Sequence, residues 1–167
     1  CHFALDSTCH PYVEQYVRES GVSHCEIETE LDNALLRKDG RDPMKFFTAS
    51  HIKPSRERAE VVAPFYEGVT VEEIYEAMKG MLTVHHLLQA TNPVKRWGVL
   101  TAMRVAGKYE FMHGLVANPQ PNPKCAESSK KLEELYQKAV PLAVKLITEY
   151  ADGKPLGGEY QHTFGET

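Results

Sequence analysis

Cysteine and histidine are concentrated near the N-terminus, where they occur as three adjacent pairs. The pairs are Cys1-His2, Cys9-His10 and His24-Cys25. Thiolate and imidazole are ligands that zinc, copper and iron–sulfur clusters take from proteins. The spacing differs from that of a zinc knuckle, whose ligands are typically separated by about two to four residues. The residue types therefore predict a metal or cluster site that separate helices must assemble.

The same cysteines are expected to be reactive. Cys9, Cys25 and Cys125 each fall near the start of a predicted helix, where free amide groups and the helix dipole lower the pKa of a thiol. The predicted metal ligands are Cys1, Cys9, His10, His24, Cys25 and Cys125. Zinc or an iron–sulfur cluster is the expected metal centre. The alternatives are two disulfides, which four cysteines can form by any of three pairings, and plain buried thiols.

Two further histidines are candidates for catalysis. His85 lies on the apolar stripe of a predicted helix, and His113 follows the pair Phe111-Met112. Two facing imidazoles would suit haem or a metal, and a single core histidine would suit a general base. Met78 and Trp97 are the residues expected to contact a cofactor together with His85. A hydrogen-bonded histidine that only fills the core would show the same pattern.

The elements that must position these side chains are predicted to be helices. Start and stop signals place them over residues 10–20, 23–40, 54–62, 70–90 and 92–107, with a last helix from near 125 to 153. Thr70 and Glu73 form a capping box, and Pro141 is expected to kink the last helix. The segment at 92–107 is apolar nearly all round, which predicts a central, buried helix. Residues 44–52 and 109–116 are ambiguous and leave room for one small strand pair.

These elements predict an all-α fold of about six helices in one domain over residues 1–167. With 167 residues and 42% hydrophobic content, the chain is long enough for one sizeable core. The Pro-rich segment 118–123 is expected to be an extended connector before the final long helix. It separates that helix from the rest of the domain.

Charge and hydropathy exclude two classes of partner. The formal net charge of −4 provides no cationic field for a phosphate backbone, so nucleic acid is not an expected partner. No run reaches the roughly 18 apolar residues of a membrane span, and a soluble protein is expected.

The first residue is Cys1 rather than Met, which a cleaved export signal, a lipidated cysteine, self-processing or a partial sequence would each produce. The compartment is left open.

The absence of several motifs disfavours the enzyme classes that depend on them. The chain has no Cys-x-x-Cys, no Gly-rich phosphate loop, no Gly-x-Ser-x-Gly elbow and no His-Glu-x-x-His. The segment Gly68-Val-Thr-Val-Glu-Glu-Ile-Tyr-Glu-Ala77 resembles a helix-opening segment of the carboxymuconolactone decarboxylase and alkylhydroperoxidase D-like family, which is all-helical. The resemblance covers ten of 167 residues. That family's redox Cys-x-x-Cys and following histidine have no counterpart here, so no catalytic residue is carried over.

Three functions follow from these observations. The first is a helical metal- or cluster-binding protein, such as a redox protein or an enzyme subunit, that uses the N-terminal cysteines and histidines. The second is an exported binding domain with two disulfides and an apolar pocket for a small molecule, lined by Met78, His85, Trp97 and Met103. The third is a metal-free enzyme with His85 or His113 as its catalytic histidine. The partner in each case is an unidentified small molecule or a partner subunit.

Overall fold

A computed structural model describes residues 1–161, and these residues confirm the all-α fold. Seven α-helices are present in the described part: α1 His2–Ser20, α2 His24–Lys38, α3 Arg56–Val62, α4 Val71–Leu88, α5 Pro93–Val105, α6 Tyr109–Met112 and α7 Ala126–Ala151. Short 3-10 turns join several of them, and no strand occurs within residues 1–161. The strand pair for which the sequence left room is therefore absent from the described chain.

The main core lies between α1, α2 and α7. The long helix α7 packs along both α1 and α2. The buried side chains of this core come from all three helices and the turns that join them: Cys9, Val13, Val22, Ile27, Cys125 and Leu132. We call α1, α2 and α7 the bundle. Helices α1 and α2 carry every N-terminal candidate ligand except Cys1, which precedes α1.

The helix starts follow from capping side chains. Ser23 accepts a hydrogen bond from the Glu26 amide at the start of α2. Thr70 and Glu73 form the predicted reciprocal capping box of α4. These side chains satisfy backbone N–H groups that have no partner inside the helix. The predicted start signals of α2 and α4 are confirmed.

The first helix begins eight residues earlier than the sequence indicates. Pro11 suits a first helical turn, yet the structure places it inside α1, which starts at His2. Proline removes one backbone donor from the helix. The preceding turns remain helical because Ala4 and Cys9 are buried on the side of α1 that packs on α7. Tertiary packing outweighs the local cost of the proline.

The helices α3 to α6, residues 56–112, contribute far less to the core. We call them the outer helices. Helix α4 packs mainly on α3 and has no buried residue, and α5 buries only Met103, which packs with Ala90 and Val116. The prediction that α5 forms the centre of the core is wrong, since Trp97 is 70% exposed. His85, predicted to point into the core, is exposed.

The outer helices reach the bundle through the turn His113–Leu115, which lies against α2. At Gly114 an added Cβ would lie 2.9 Å from the Glu26 Cα and 2.8 Å from the Ser23 Oγ. Glycine is needed here because the two backbones approach so closely. This segment, which the sequence left open as a short strand, is helix α6 followed by a 3-10 turn.

A buried polar network ties the connector to α2. The Glu30 side chain is 2% exposed and accepts hydrogen bonds from the Asn118 Nδ2, at 2.9 Å, and from the Asn122 amide, at 3.0 Å. Hydrogen bonds to a charged, buried acceptor are among the stronger ones in proteins. The non-helical residues before α7 are thus fixed against the bundle.

Among the described helices, none combines the length and the apolar composition that a membrane span requires.

Candidate metal centre

Two polar helix faces meet where α1 and α2 lie side by side. On α1, Asp6, His10 and Glu14 recur every four residues, so they share one face of the helix. On α2, His24 and Glu28 have the same spacing. The turn between the helices brings these two faces together.

Three of these side chains converge on one point. The Nε2 atom of His24 lies 3.1 Å from the Glu28 Oε1, and the Nε2 atom of His10 lies 3.4 Å from the same oxygen. The two imidazole rings meet edge to face, with centroids 5.0 Å apart. Within residues 1–161, these three form the one group of three His, Cys, Asp or Glu side chains whose ligand atoms all lie within 4.8 Å of one another.

A carboxylate behind His24 fixes the orientation of its ring. The Nδ1 atom of His24 lies 2.8 Å from the Glu14 Oε1. When Nδ1–H donates to this carboxylate, the lone pair of a neutral imidazole is left on Nε2, which faces Glu28. Histidine ligands of metals almost always have such a partner on the second ring nitrogen. The arrangement prepares His24 to bind through Nε2.

Asp6 supplies a fourth candidate ligand, a carboxylate oxygen, at the same face. Its Oδ1 lies 4.0 Å from the His10 Nε2, and its Oδ2 lies 3.0 Å from the His2 Nε2. In a tetrahedral zinc site with bonds of about 2.1 Å, neighbouring ligand atoms are about 3.4 Å apart. The spacings from Glu28 to the two imidazoles therefore match the edges of such a site.

Solvent reaches this group. The side chains of His10, His24 and Glu28 are 23%, 32% and 48% exposed. An ion could enter without a change of fold, and a water molecule could complete its coordination. A set of two imidazoles and one carboxylate with an open position is typical of catalytic zinc sites.

The four cysteines are not among these three candidate ligands. All four are free, with Cys1 exposed, Cys25 half-buried, and Cys9 and Cys125 buried in the bundle core. No thiol belongs to the three-ligand group that the described residues form. The prediction that Cys1, Cys9, Cys25 and Cys125 share a site stays a prediction. The zinc or iron–sulfur centre predicted on these cysteines stays a prediction.

The low pKa values predicted for the thiols are wrong. Burial, and then the charges of Asp6 and Glu28, raise the pKa of Cys9 to about 11. Burial, and then the charges of Glu26 and Glu30, raise the pKa of Cys125 to about 11. Cys9 lies in the middle of α1, away from any helix start.

Cys25 does lie in the first turn of α2, yet burial followed by the Glu28 charge raises the pKa of its thiol. Its own backbone amide lowers that pKa by less. Loss of water around these sulfur atoms thus outweighs the favourable helix ends.

His85 and His113 have separate surroundings. His113 stacks on Tyr109, with centroids 4.7 Å apart, and its Nδ1 lies 2.8 Å from the Tyr109 carbonyl oxygen. Its Nε2 is 3.5 Å from the Glu26 Oε2, so this imidazole joins the outer helices to α2. His85 instead lines a cavity formed with α2.

The predicted cofactor residues do not surround His85. Met78 is half-buried on α4, and Trp97 is largely exposed on α5. Neither residue lines the cavity to which His85 belongs, and Met103 does not line it either. The apolar pocket predicted from these four residues is not formed around His85.

His10 and His24 are predicted ligands that the structure brings together, whereas their carboxylate partners are not among the predicted residues. The missing residues are Asp6, Glu14 and Glu28. Their signal was the spacing of four residues from a histidine on the same helix. That signal becomes visible only once α1 is known to begin at His2, because a helix starting at residue 10 leaves Asp6 outside it.

Comparisons with known proteins add no assignment. No protein-family model matches the chain, and neither the curated proteins nor the solved structures contain a match. The resemblance of Gly68–Ala77 to the alkylhydroperoxidase D-like family is therefore not joined by a family match.

Proposed function

We propose that this protein binds a divalent first-row transition metal, with zinc as the foremost candidate. His10 and His24 bind through Nε2 and Glu28 through Oε1, and Asp6 or a water molecule completes the coordination. The observation that carries the proposal is the convergence of both Nε2 atoms on the Glu28 carboxylate. Imidazole ligands favour zinc and its neighbours over magnesium and calcium, which prefer oxygen.

The support of His24 by Glu14 strengthens this proposal. A carboxylate that holds the second ring nitrogen raises the basicity of the ligand and fixes its orientation, and its loss typically weakens metal binding about 10- to 100-fold. The competing account is an ion-pair network of protonated imidazoles with Asp6, Glu14 and Glu28. That account predicts no metal binding at neutral pH.

The ligand set indicates a function in metal binding or metal-dependent chemistry. Three protein ligands with one open position allow a bound water to become a nucleophile. Closure of the fourth position by Asp6 would instead give a structural site that stabilises the α1–α2 pair. Neither role requires the cysteines.

Zinc titration of the full chain by calorimetry, after treatment with a chelator, tests the proposal. We expect one ion per chain, and we expect His10→Ala and His24→Ala each to abolish that binding. Glu14→Gln should weaken it about 10- to 100-fold while leaving the ligands in place. His85→Ala, which removes an exposed histidine outside the ligand group, should bind zinc like the parent protein.

Two results would contradict the proposal. One is a parent protein that binds zinc no better than the double variant His10→Ala/His24→Ala. The other is an equal loss of affinity when Cys9 or Cys25 is replaced by alanine, since that result would assign the ion to the thiols.

A further inference from the structure

The chain exposes more surface than a compact protein of its size. Its accessible surface is 11106 Å². A compact folded monomer of 18.8 kDa exposes about 8,300 Å², so the excess is about 2,800 Å². One partner contributes roughly 800 Å² to a standard protein–protein interface, and obligate homodimers bury more. The excess is therefore large enough for a stable dimer interface.

An apolar stripe on α5 forms part of this surface. Val94, Trp97 and Val105 are each at least 70% exposed. Their spacing of three and then eight residues places them on one face of the helix, over about three turns. Met103, the buried residue of α5, lies on the opposite face. We call Val94, Trp97 and Val105 the α5 stripe.

The charged residues of α5 leave this stripe uncharged. The Lys95 Nζ donates hydrogen bonds to two carbonyl oxygens at the end of α4, at 2.6 and 2.9 Å. Arg96 donates to the carbonyl oxygens of residues 116–117, and the Arg104 guanidinium lies 4.0 Å from the centroid of the Tyr109 ring. Because these cations are engaged within their own chain, the α5 stripe presents hydrocarbon to the solvent.

The charge of the outer helices favours a second copy of the chain as the partner. Residues 56–112 contain seven Lys or Arg and seven Glu side chains, so this region has no net charge, whereas the whole chain has −4. Two copies can meet through a neutral region without net repulsion, and such a region does not select a partner of opposite charge. Twofold dimers are the commonest oligomers of soluble proteins, and they pair one patch with itself.

We propose that two copies of this chain form a dimer by pairing their α5 stripes around a twofold axis. The axis crosses α5 midway between Val94 and Val105, so the two helices run antiparallel. Val94 of each copy then packs against Val105 of the other, and Trp97 packs against the small, exposed Ala102. Tryptophan is enriched in the buried centre of protein interfaces. This interface is separate from the proposed metal site, which lies between α1 and α2.

Trp97 is the only tryptophan of the chain, so its fluorescence reports directly on this interface. The test is a dilution series of the chelator-treated full chain, followed by light scattering and by acrylamide quenching of the Trp97 fluorescence. We expect a dimer with a dissociation constant on the order of 1 μM. The mass should rise from one chain to two, and the quenching of Trp97 should fall with the same midpoint.

Substitutions on the α5 stripe test the pairing. Val105→Glu places a carboxylate in the apolar interface once per copy and should weaken association at least about 100-fold. The matched control is Val144→Glu, which adds the same charge at an exposed valine of α7 that lines a groove with α1, and it should dimerise like the parent. The double variant Val94→Lys/Val105→Glu sets opposite charges against each other in the antiparallel pair. It should associate at least about tenfold more tightly than Val105→Glu.

Three results would overturn the proposal. The first is a parent protein that stays a single chain at every concentration with Trp97 equally open to acrylamide, which would leave the α5 stripe to a different protein. The second is a dimer that Val105→Glu leaves intact, or that Val144→Glu weakens to the same extent. The third is a double variant that associates no better than Val105→Glu, because that result contradicts the antiparallel pairing.

Discussion

The bundle and the outer helices differ in how they use their apolar side chains. In the bundle, Ile27 and Leu132 are almost wholly buried between α1, α2 and α7. In the outer helices, α4 carries a clear apolar stripe, yet Met81, Val84 and Leu87 on that helix are each about half exposed. A periodic pattern thus predicts that a helix has an apolar face. Whether the same chain covers that face depends on contacts between distant segments.

The largest expected difference between the two regions is in core stability. Leu132→Ala should lower the free energy of unfolding by about 2–5 kcal/mol, because it leaves a cavity at a 1% exposed position. Leu87→Ala on α4 removes the same atoms at a 57% exposed position and should cost less than about 1 kcal/mol. Urea denaturation of both variants measures the difference. Equal losses would mean that α4 is as well covered as α7.

A smaller effect is expected where the two regions meet. Gly114→Ala should destabilise the protein by about 1–3 kcal/mol, because the new Cβ would overlap the backbone of Glu26. Gly98→Ala is the matched control, since an added Cβ there meets nothing within 4 Å. Thermal unfolding of the two variants checks this prediction. A Gly114→Ala protein as stable as the control would show that the outer helices do not dock on α2 at this turn.

The smallest effect concerns pH and is confined to the bundle, since residues 56–112 contain no cysteine. A thiol whose pKa is raised to about 11 in the folded protein holds its proton more firmly than in the unfolded chain. Its contribution to stability is complete below the unfolded pKa of about 8.5 and is lost as the pH rises towards the folded value.

We therefore expect ionisation of the Cys9 thiol, and likewise of the Cys125 thiol, to lower the free energy of unfolding by on the order of 1 kcal/mol by pH 10. Chemical denaturation at several pH values, on the parent and on Cys9→Ala, isolates the thiol. If both proteins lose stability in parallel above pH 8.5, the assigned pKa of Cys9 is wrong. Iodoacetamide should likewise modify exposed Cys1 well before Cys9.

Much of the fold could be predicted from the sequence because its signals are local. The capping residues Ser23 and Thr70 and the stop at Gly21 act within one or two turns, and the structure confirms them. The start of α1 was missed because the burial of Ala4 depends on α7, which lies more than a hundred residues away in the chain. Nonlocal packing leaves little trace in a local pattern.

The candidate site was predicted in part for the same reason. His10 and His24 are candidates by residue type alone. Because they are far apart in the chain, the sequence does not show that Glu28 lies between their two rings or that Glu14 contacts the second ring nitrogen of His24. The cysteines are equally conspicuous in the sequence. Burial raises the pKa of the Cys9, Cys25 and Cys125 thiols, and that burial depends on the three-dimensional core, which the sequence does not show. Residue type predicted metal ligands, and only the packing of α1 on α2 shows which of the candidate side chains lie together.

The central claim is that imidazole and carboxylate groups, without thiolates, form the metal site between α1 and α2. X-ray absorption at the zinc edge of the zinc-loaded full chain tests it most directly. The account predicts a first shell of nitrogen and oxygen at about 2.0–2.2 Å with histidine outer-shell scattering. A sulfur shell at about 2.3 Å would contradict the claim and place the ion on the cysteines.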